Sequence, residues 1–372
     1  MTRRLSLAFA LACLAGSLFA QGSEHFNLYL RADYSSAERT LELCSGLSGR
    51  PDQIARMPGS RIALATTALL TQKTLTEDLL TRSLEELKFN QSLDDDPFKM
   101  SDLRANLEEI RQLLLECERR NFSDRVVATV SQLFPAEARV EGTIPVYFVA
   151  FGYQNVDAFV RRVVWRNGFP VFVGEGSGEL TIVVNLSRAV HYGRTTDERL
   201  IGMLSVVAHE VFHAAFGIYK DGSAQWRSYS ASHTTPADDF IDLAQNEGIA
   251  YYLSLVQSSR GRLPGDAKPR VDRAFSLFNS VIAELLSPRT SPGRAGDLIR
   301  LSNSSGYWDN YGAITGMIVA RQIDQTLGRQ ALTRTIATGP ADFFLTYADL
   351  ARRDDSLPQL SGALITKLQS GR

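Results

Sequence analysis

The stretch VVAHEVFHAAFG, residues 206–217, is apolar except for His209, Glu210 and His213. Polar side chains in an apolar helix need partners, and this spacing suggests one. His209 and His213 are four residues apart, so on a helix they lie on one face, one turn apart. Two imidazoles so placed can reach a single ion at the ~2.0–2.1 Å of a zinc–nitrogen bond. Glu210 projects about 100° further round the helix. It cannot easily share that ion, but it can stand beside a water next to it. This is the H-E-x-x-H arrangement of zinc hydrolases. The alternative is a histidine pair satisfied by ordinary core hydrogen bonds.

A catalytic zinc needs a third protein ligand and an open position. The extended H-E-x-x-H-x-x-G-x-x-H form is absent, because Phe216 and Tyr219 stand where its glycine and third histidine would be. Glu247, in LAQNEGIA, is the best third ligand. It shares a helix face with Phe240, Leu243, Ala244 and Tyr251, and Gly248 to Ser259 carries no charge. A carboxylate on such a surface is costly unless paired. A buried ion pair with an arginine is the competing explanation for Glu247, and His233, Asp239 and Asp242 are the other candidate ligands.

These residues need elements to hold them. Thr195-Thr196-Asp197-Glu198 is a capping box opening a helix that should stop near Gly217. Thr235-Pro236 with Asp238 and Asp239 opens the helix that carries Glu247 to about Gln257. The polar stretch 219–237, with Trp226, reads as a surface loop or a lid. Residues 145–151, 171–173 and 180–186 read as strands of a small sheet. Gly-rich GEGSGE would join the last two as a hairpin, and a helix is expected over 155–166. Strand 180–186 could lie at the sheet edge, where an extended peptide could add. Residues 34–134 look helical, with a capping box at Ser35–Glu38 and an amphipathic run from Leu103 to Cys117. Gly312, Gly316 and Ala320 recur every four residues and form a smooth stripe for close helix approach.

The chain has 372 residues and a formal net charge of −1. No basic block stands out, so nucleic acid is not an expected partner. Residues 1–20 have a basic start and an uncharged apolar stretch ending at Ala20, which reads as a signal peptide of an exported protein, periplasmic or secreted. An uncleaved anchor is the alternative. No second run reads as a membrane span. Cys44 and Cys117 could form one disulfide or remain two buried thiols.

HEVFH followed by QNEGIAYY resembles the gluzincin class of zinc metallopeptidases, in which a glutamate on a following helix completes the site. The wider layout resembles a bacterial family of gluzincin-type zinc peptidases, including a closing helix Y-G-x-x-x-G-M-x-x-A, here Tyr311 to Ala320. The resemblance implies a mostly helical α+β fold. A helical region (21–140) would precede a zincin-like region (141–372) whose small sheet packs beside the H-E-x-x-H helix. It implies one zinc on His209, His213 and Glu247, Glu210 as general base, and a peptide or protein substrate. Tyr307, Tyr311 or His233 would donate to the oxyanion. Some gluzincins have an aspartate four residues after the ligand glutamate; Tyr251 stands there, so Asn246 or Asp242 would orient a histidine instead. The same ligands would serve a zinc hydrolase of a non-peptide bond, or a metal- or peptide-binding protein without turnover. Glu210 argues against the last, having no role in merely holding zinc.

Overall fold

A computed structural model describes residues 25–370 apart from 47–48, 92–94, 153–157, 175–176 and 303–306. The expected signal peptide lies outside the described residues. The fold is mostly helical α+β, as expected, with a five-stranded sheet. The strands are β1 (Phe26–Asp33), β2 (Val140–Val149), β3 (Ala158–Arg166), β4 (Phe169–Val173) and β5 (Glu179–Asn185). Their order is β1-β2-β5-β3-β4. β1, β2 and β5 pair in parallel, whereas β3 is antiparallel to both β5 and β4.

Among the described residues seven helices lie between β1 and β2: α1 (Ser35–Cys44), α2 (Pro51–Ala55), α3 (Pro58–Thr71), α4 (Glu77–Lys88), α5 (Met100–Ala105), α6 (Leu107–Arg119) and α7 (Phe122–Ser131). The short α8 (Leu186–Ala189) follows β5 and leads to α9 (Thr196–Gly222). Next come α10 (Ala224–Ser232), α11 (Pro236–Ser259), α12 (Ala267–Leu285), α13 (Pro292–Leu301) and α14 (Tyr311–Leu327). Last are α15 (Arg329–Thr338), α16 (Pro340–Ala351) and α17 (Gly362–Ser370). Strand alternation puts α9 and α3 on opposite faces of the sheet: Gly142 lies against Ile218 of α9, and Tyr147 against Gly59 of α3. One continuous apolar cluster runs from Leu28 to Leu368.

Several expectations are corrected. Residues 158–166 form β3, not a helix. Val160, Val163, Val164 and Trp165 favour a strand, and Asn167-Gly168, both at positive φ, turn the chain directly into β4. β4 therefore pairs with β3, and the hairpin expected between 171–173 and 180–186 does not form. β5 is an interior strand with β2 on one side and β3 on the other, so peptide addition to it is excluded. β1 was not anticipated; its exposed Tyr29 and Arg31 alternate with buried Leu28 and Leu30.

The 219–237 stretch is mostly helical. α9 continues past Gly217 to Gly222, where Lys220 pairs with Asp242 at 2.6 Å and lies over the Phe216 and Trp226 rings. α10 follows. Trp226 is buried, donating from Nε1 to the Ile336 carbonyl at 2.9 Å, so it is a core residue and not a lid. Ser35 is not an N-cap; the Asp33 carboxylate accepts from its backbone N–H at 3.0 Å instead. Cys44 and Cys117 are separate thiols. By length and composition α9 could cross a membrane, but it packs in the core and carries the H-E-x-x-H residues.

Candidate metal centre

Two capping boxes set the helices that form the site. Thr195 and Glu198 cap α9, and Thr235 and Asp238 cap α11, each satisfying backbone N–H groups reciprocally. The two helices run antiparallel, so His213 meets Asn246 near one end of their contact and Ser205 meets Ser254 near the other. This register places Glu247 opposite both histidines.

His209 Nε2 lies 3.0 Å from His213 Nε2. Glu247 Oε2 lies 3.7 Å from the first and 3.5 Å from the second. Ligands about 2.0–2.1 Å from a tetrahedral ion sit about 3.3–3.4 Å apart, so these separations bracket the value a zinc site requires. Among the described residues, His209, His213 and Glu247 form the one group of histidine, cysteine and acidic donors close enough to hold a metal ion.

Each histidine is oriented from behind by α11. His213 Nδ1 bonds Asn246 Oδ1 at 3.0 Å, and His209 bonds the Ala250 carbonyl. Such bonds make Nδ1 the protonated nitrogen and leave Nε2 as the free ligand atom. The electrostatics follow from crowding. Burial and the neighbouring His213 push His209 down to about 3. Burial presses on His213 too, but the Glu247 carboxylate outweighs it and lifts that imidazole to about 9. Burial works against the charge on Glu247, yet the histidines hold its carboxyl below the usual range. Two imidazoles and a carboxylate so crowded are a donor set that suits a divalent cation.

Gly248 and Gly316 press α11 against α14. A Cβ on Gly316 would lie 2.0 Å from the Ala244 carbonyl, and one on Gly248 would lie 2.3 Å from Gly316 Cα. The small-residue stripe anticipated on α14 thus seats the helix that presents Glu247.

The remaining candidates scatter. Tyr311 is buried and donates to the Leu298 carbonyl at 2.8 Å, which corrects its expected role as an oxyanion donor. His233 stacks on Tyr229 at 4.0 Å, with Nδ1 against Ser232 and the Tyr229 carbonyl, outside the donor group. Tyr307 opens a 3₁₀ turn, and its side chain lies outside the described residues. Asp239 is exposed at the start of α11. Asp242 is held by Lys220, so Asn246 is the residue that orients a histidine.

Two neighbours were not anticipated in their present roles. The Tyr251 ring packs edge-on to His209 at 5.2 Å, and its hydroxyl accepts from Asn310 Nδ2 at 2.6 Å. Its position one turn after Glu247 was the available signal. Arg161 of β3 lies in the field of Glu210: burial pushes its guanidinium below the usual range and the Glu210 carboxylate opposes that push. The misread strand hid this residue.

The fold and donor set define an α+β protein with three donors at the seam of two helices that could hold a metal ion. Residues 52–356 match the family described as "Putative zinc dependent peptidase (DUF5700)", and the chain belongs to that family. No curated protein and no solved structure matches it.

Proposed function

We propose that this chain is an exported zinc peptidase of gluzincin type that hydrolyses peptide bonds in a peptide or protein substrate. The observation that supports it most is the convergence of His209 Nε2, His213 Nε2 and Glu247 Oε2 within ligand-to-ligand distances, with Glu210 on the same cleft wall. The family's description points to the same chemistry. Export rests on the leader pattern of residues 1–20.

His209, His213 and Glu247 are the residues that would hold the metal. When bound, zinc supplies Lewis acidity that polarises a carbonyl and lowers the pKa of water. The chain's own groups do the rest. Glu210 takes a proton from the attacking water and returns it to the leaving amine nitrogen as the C–N bond breaks. Asn246 and the Ala250 carbonyl keep both Nε2 lone pairs directed at the ion. Tyr251 closes one side of the cleft against His209.

Elemental mass spectrometry on residues 21–372 tests the metal centre. The expected result is about one zinc per chain, lost in His213→Ala and Glu247→Ala. Glu210→Gln should retain the zinc and lose turnover by about 10²–10⁴-fold on a peptide that the native protein cleaves. Zinc retained in Glu247→Ala would assign the third ligand elsewhere. No zinc in the native protein after zinc is supplied would remove the enzyme reading.

A further inference from the structure

A groove of about 490 Å³ leads away from the metal group along the seam of α9 and α11. Beyond His209, Glu210 and Glu247 its walls are Ser205 and Val206 on one side and Tyr251, Ser254 and Ser258 on the other. From Glu247 to Ser258 a helix rises about 16 Å, the length of four to five extended residues.

The serines give this groove a definite polarity. Ser205 Oγ donates to the Ser254 carbonyl at 3.0 Å, and Ser254 Oγ donates to the Ser205 carbonyl at 3.2 Å. Ser258 Oγ also donates to the Ser254 carbonyl, at 2.8 Å. A hydroxyl has one proton and two lone pairs. With each proton committed to a backbone carbonyl, all three oxygens can face a ligand only as acceptors. Val206 offers no polar side-chain atom. Among the described residues no lysine or arginine lines the groove, and Glu247 and Glu210, which serve the metal and the attacking water, are not counted among its acceptors. Ser254 and Ser258 lie near the C-terminal end of α11, where the helix dipole is negative. Past that end Arg262 turns its Nε onto the Ser259 carbonyl.

A wall whose serine oxygens accept hydrogen bonds and which ends at the negative pole of α11 suits a ligand rich in N–H donors. Resting on the peptidase reading above, we infer that this groove is a subsite for a cationic nitrogen of the substrate, bound by the oxygens of Ser205, Ser254 and Ser258. That nitrogen can come from a lysine or arginine side chain or from a free amino terminus.

Matched peptides separate these sources. One pair carries arginine or its neutral isostere citrulline behind an acetylated N-terminus. A second pair lacks lysine and arginine and has either a free or an acetylated N-terminus. The zinc-loaded protein is expected to cleave the charged member of at least one pair with kcat/KM about 10-fold higher or more. The responding pair identifies the source. Ser258→Lys, at an exposed position, should abolish the preference or turn it towards glutamate while zinc content stays at the native level. Equal rates within both pairs, or a preference for acidic peptides, would overturn the inference.

A binding measurement keeps it separate from the peptidase reading. If the native protein cleaves no peptide above the level of Glu210→Gln, that reading fails. Fluorescence polarisation of labelled versions of the same peptides on zinc-loaded Glu210→Gln then decides the groove alone. About 10-fold tighter binding of a charged member supports it, and equal binding within both pairs removes it.

Discussion

α11 is held by two seams built on opposite principles. Against α14 it is bare at the crossing, where Gly248 meets Gly316 with no side chain between the backbones, and only further along does Tyr252 donate to Asp324 at 2.7 Å. Against α9 it is furnished: Asn246, Glu247, Ala250 and Ser254 meet His213, His209 and Ser205 through polar contacts. The bare seam sets distance, because backbone atoms in contact cannot move closer. The furnished seam uses that fixed distance to hold three donor atoms around a point. Precision at the site therefore depends on a contact with no chemistry of its own.

Breaking the bare seam should have the largest effect. Gly316→Leu forces a side chain into the Ala244 carbonyl, so α11 and α14 must separate. Overpacking against backbone should cost about 4 kcal/mol or more, or abolish folding. Chemical denaturation of the zinc-free protein would measure it, and a loss below about 1 kcal/mol would show that the seam gives way readily.

Asn246→Ala sharpens the comparison on the furnished side. It leaves the ligands in place and removes the bond that aims His213. Zinc affinity should fall about 10–100-fold with little change in fold. Competition with a chromophoric chelator would read it, and native affinity would mean that α11 positions His213 by packing alone.

The smallest effect concerns the cap that begins α11. Burial works against the Asp238 charge, but Thr235 and Lys367 outweigh it and hold the carboxyl below its usual value. A depressed carboxyl contributes stability that is present above the unfolded pKa near 3.9 and lost as pH falls through the folded value. Asp238→Asn should therefore be less stable than the native protein at pH 7 by about 1–2 kcal/mol. The two should converge as pH falls through the depressed folded value. Parallel stability curves over that range would remove the cap from the account.

Much of the site was legible because it sits on two long capped helices. Helical spacing alone puts His209 above His213 and turns Glu210 aside, and the uncharged run after Glu247 marks that carboxylate as one that needs a partner. The Gly312-Gly316-Ala320 stripe announced a close crossing, although not that Gly248 would be its counterpart. The sheet was harder to read. β1 is a short half-buried strand whose partner, β2, lies more than a hundred residues later. The β3–β4 hairpin was signalled by Asn167-Gly168, but the preceding apolar run suits helix and strand alike until pairing selects one. Tyr311 and His233 have suitable chemistry, yet a one-dimensional pattern does not say which way a side chain points.

Local geometry therefore determined the motif helices, their caps and the pair of histidines, because helix periodicity fixes side-chain direction within a few residues. Only the tertiary structure decided that Glu247 faces those histidines, that Asn246 and not Asp242 orients one of them, and that β5 has both edges covered. Each of these depends on the register between segments distant in the chain. That register is set by packing and backbone pairing, to which no single segment's spacing gives access.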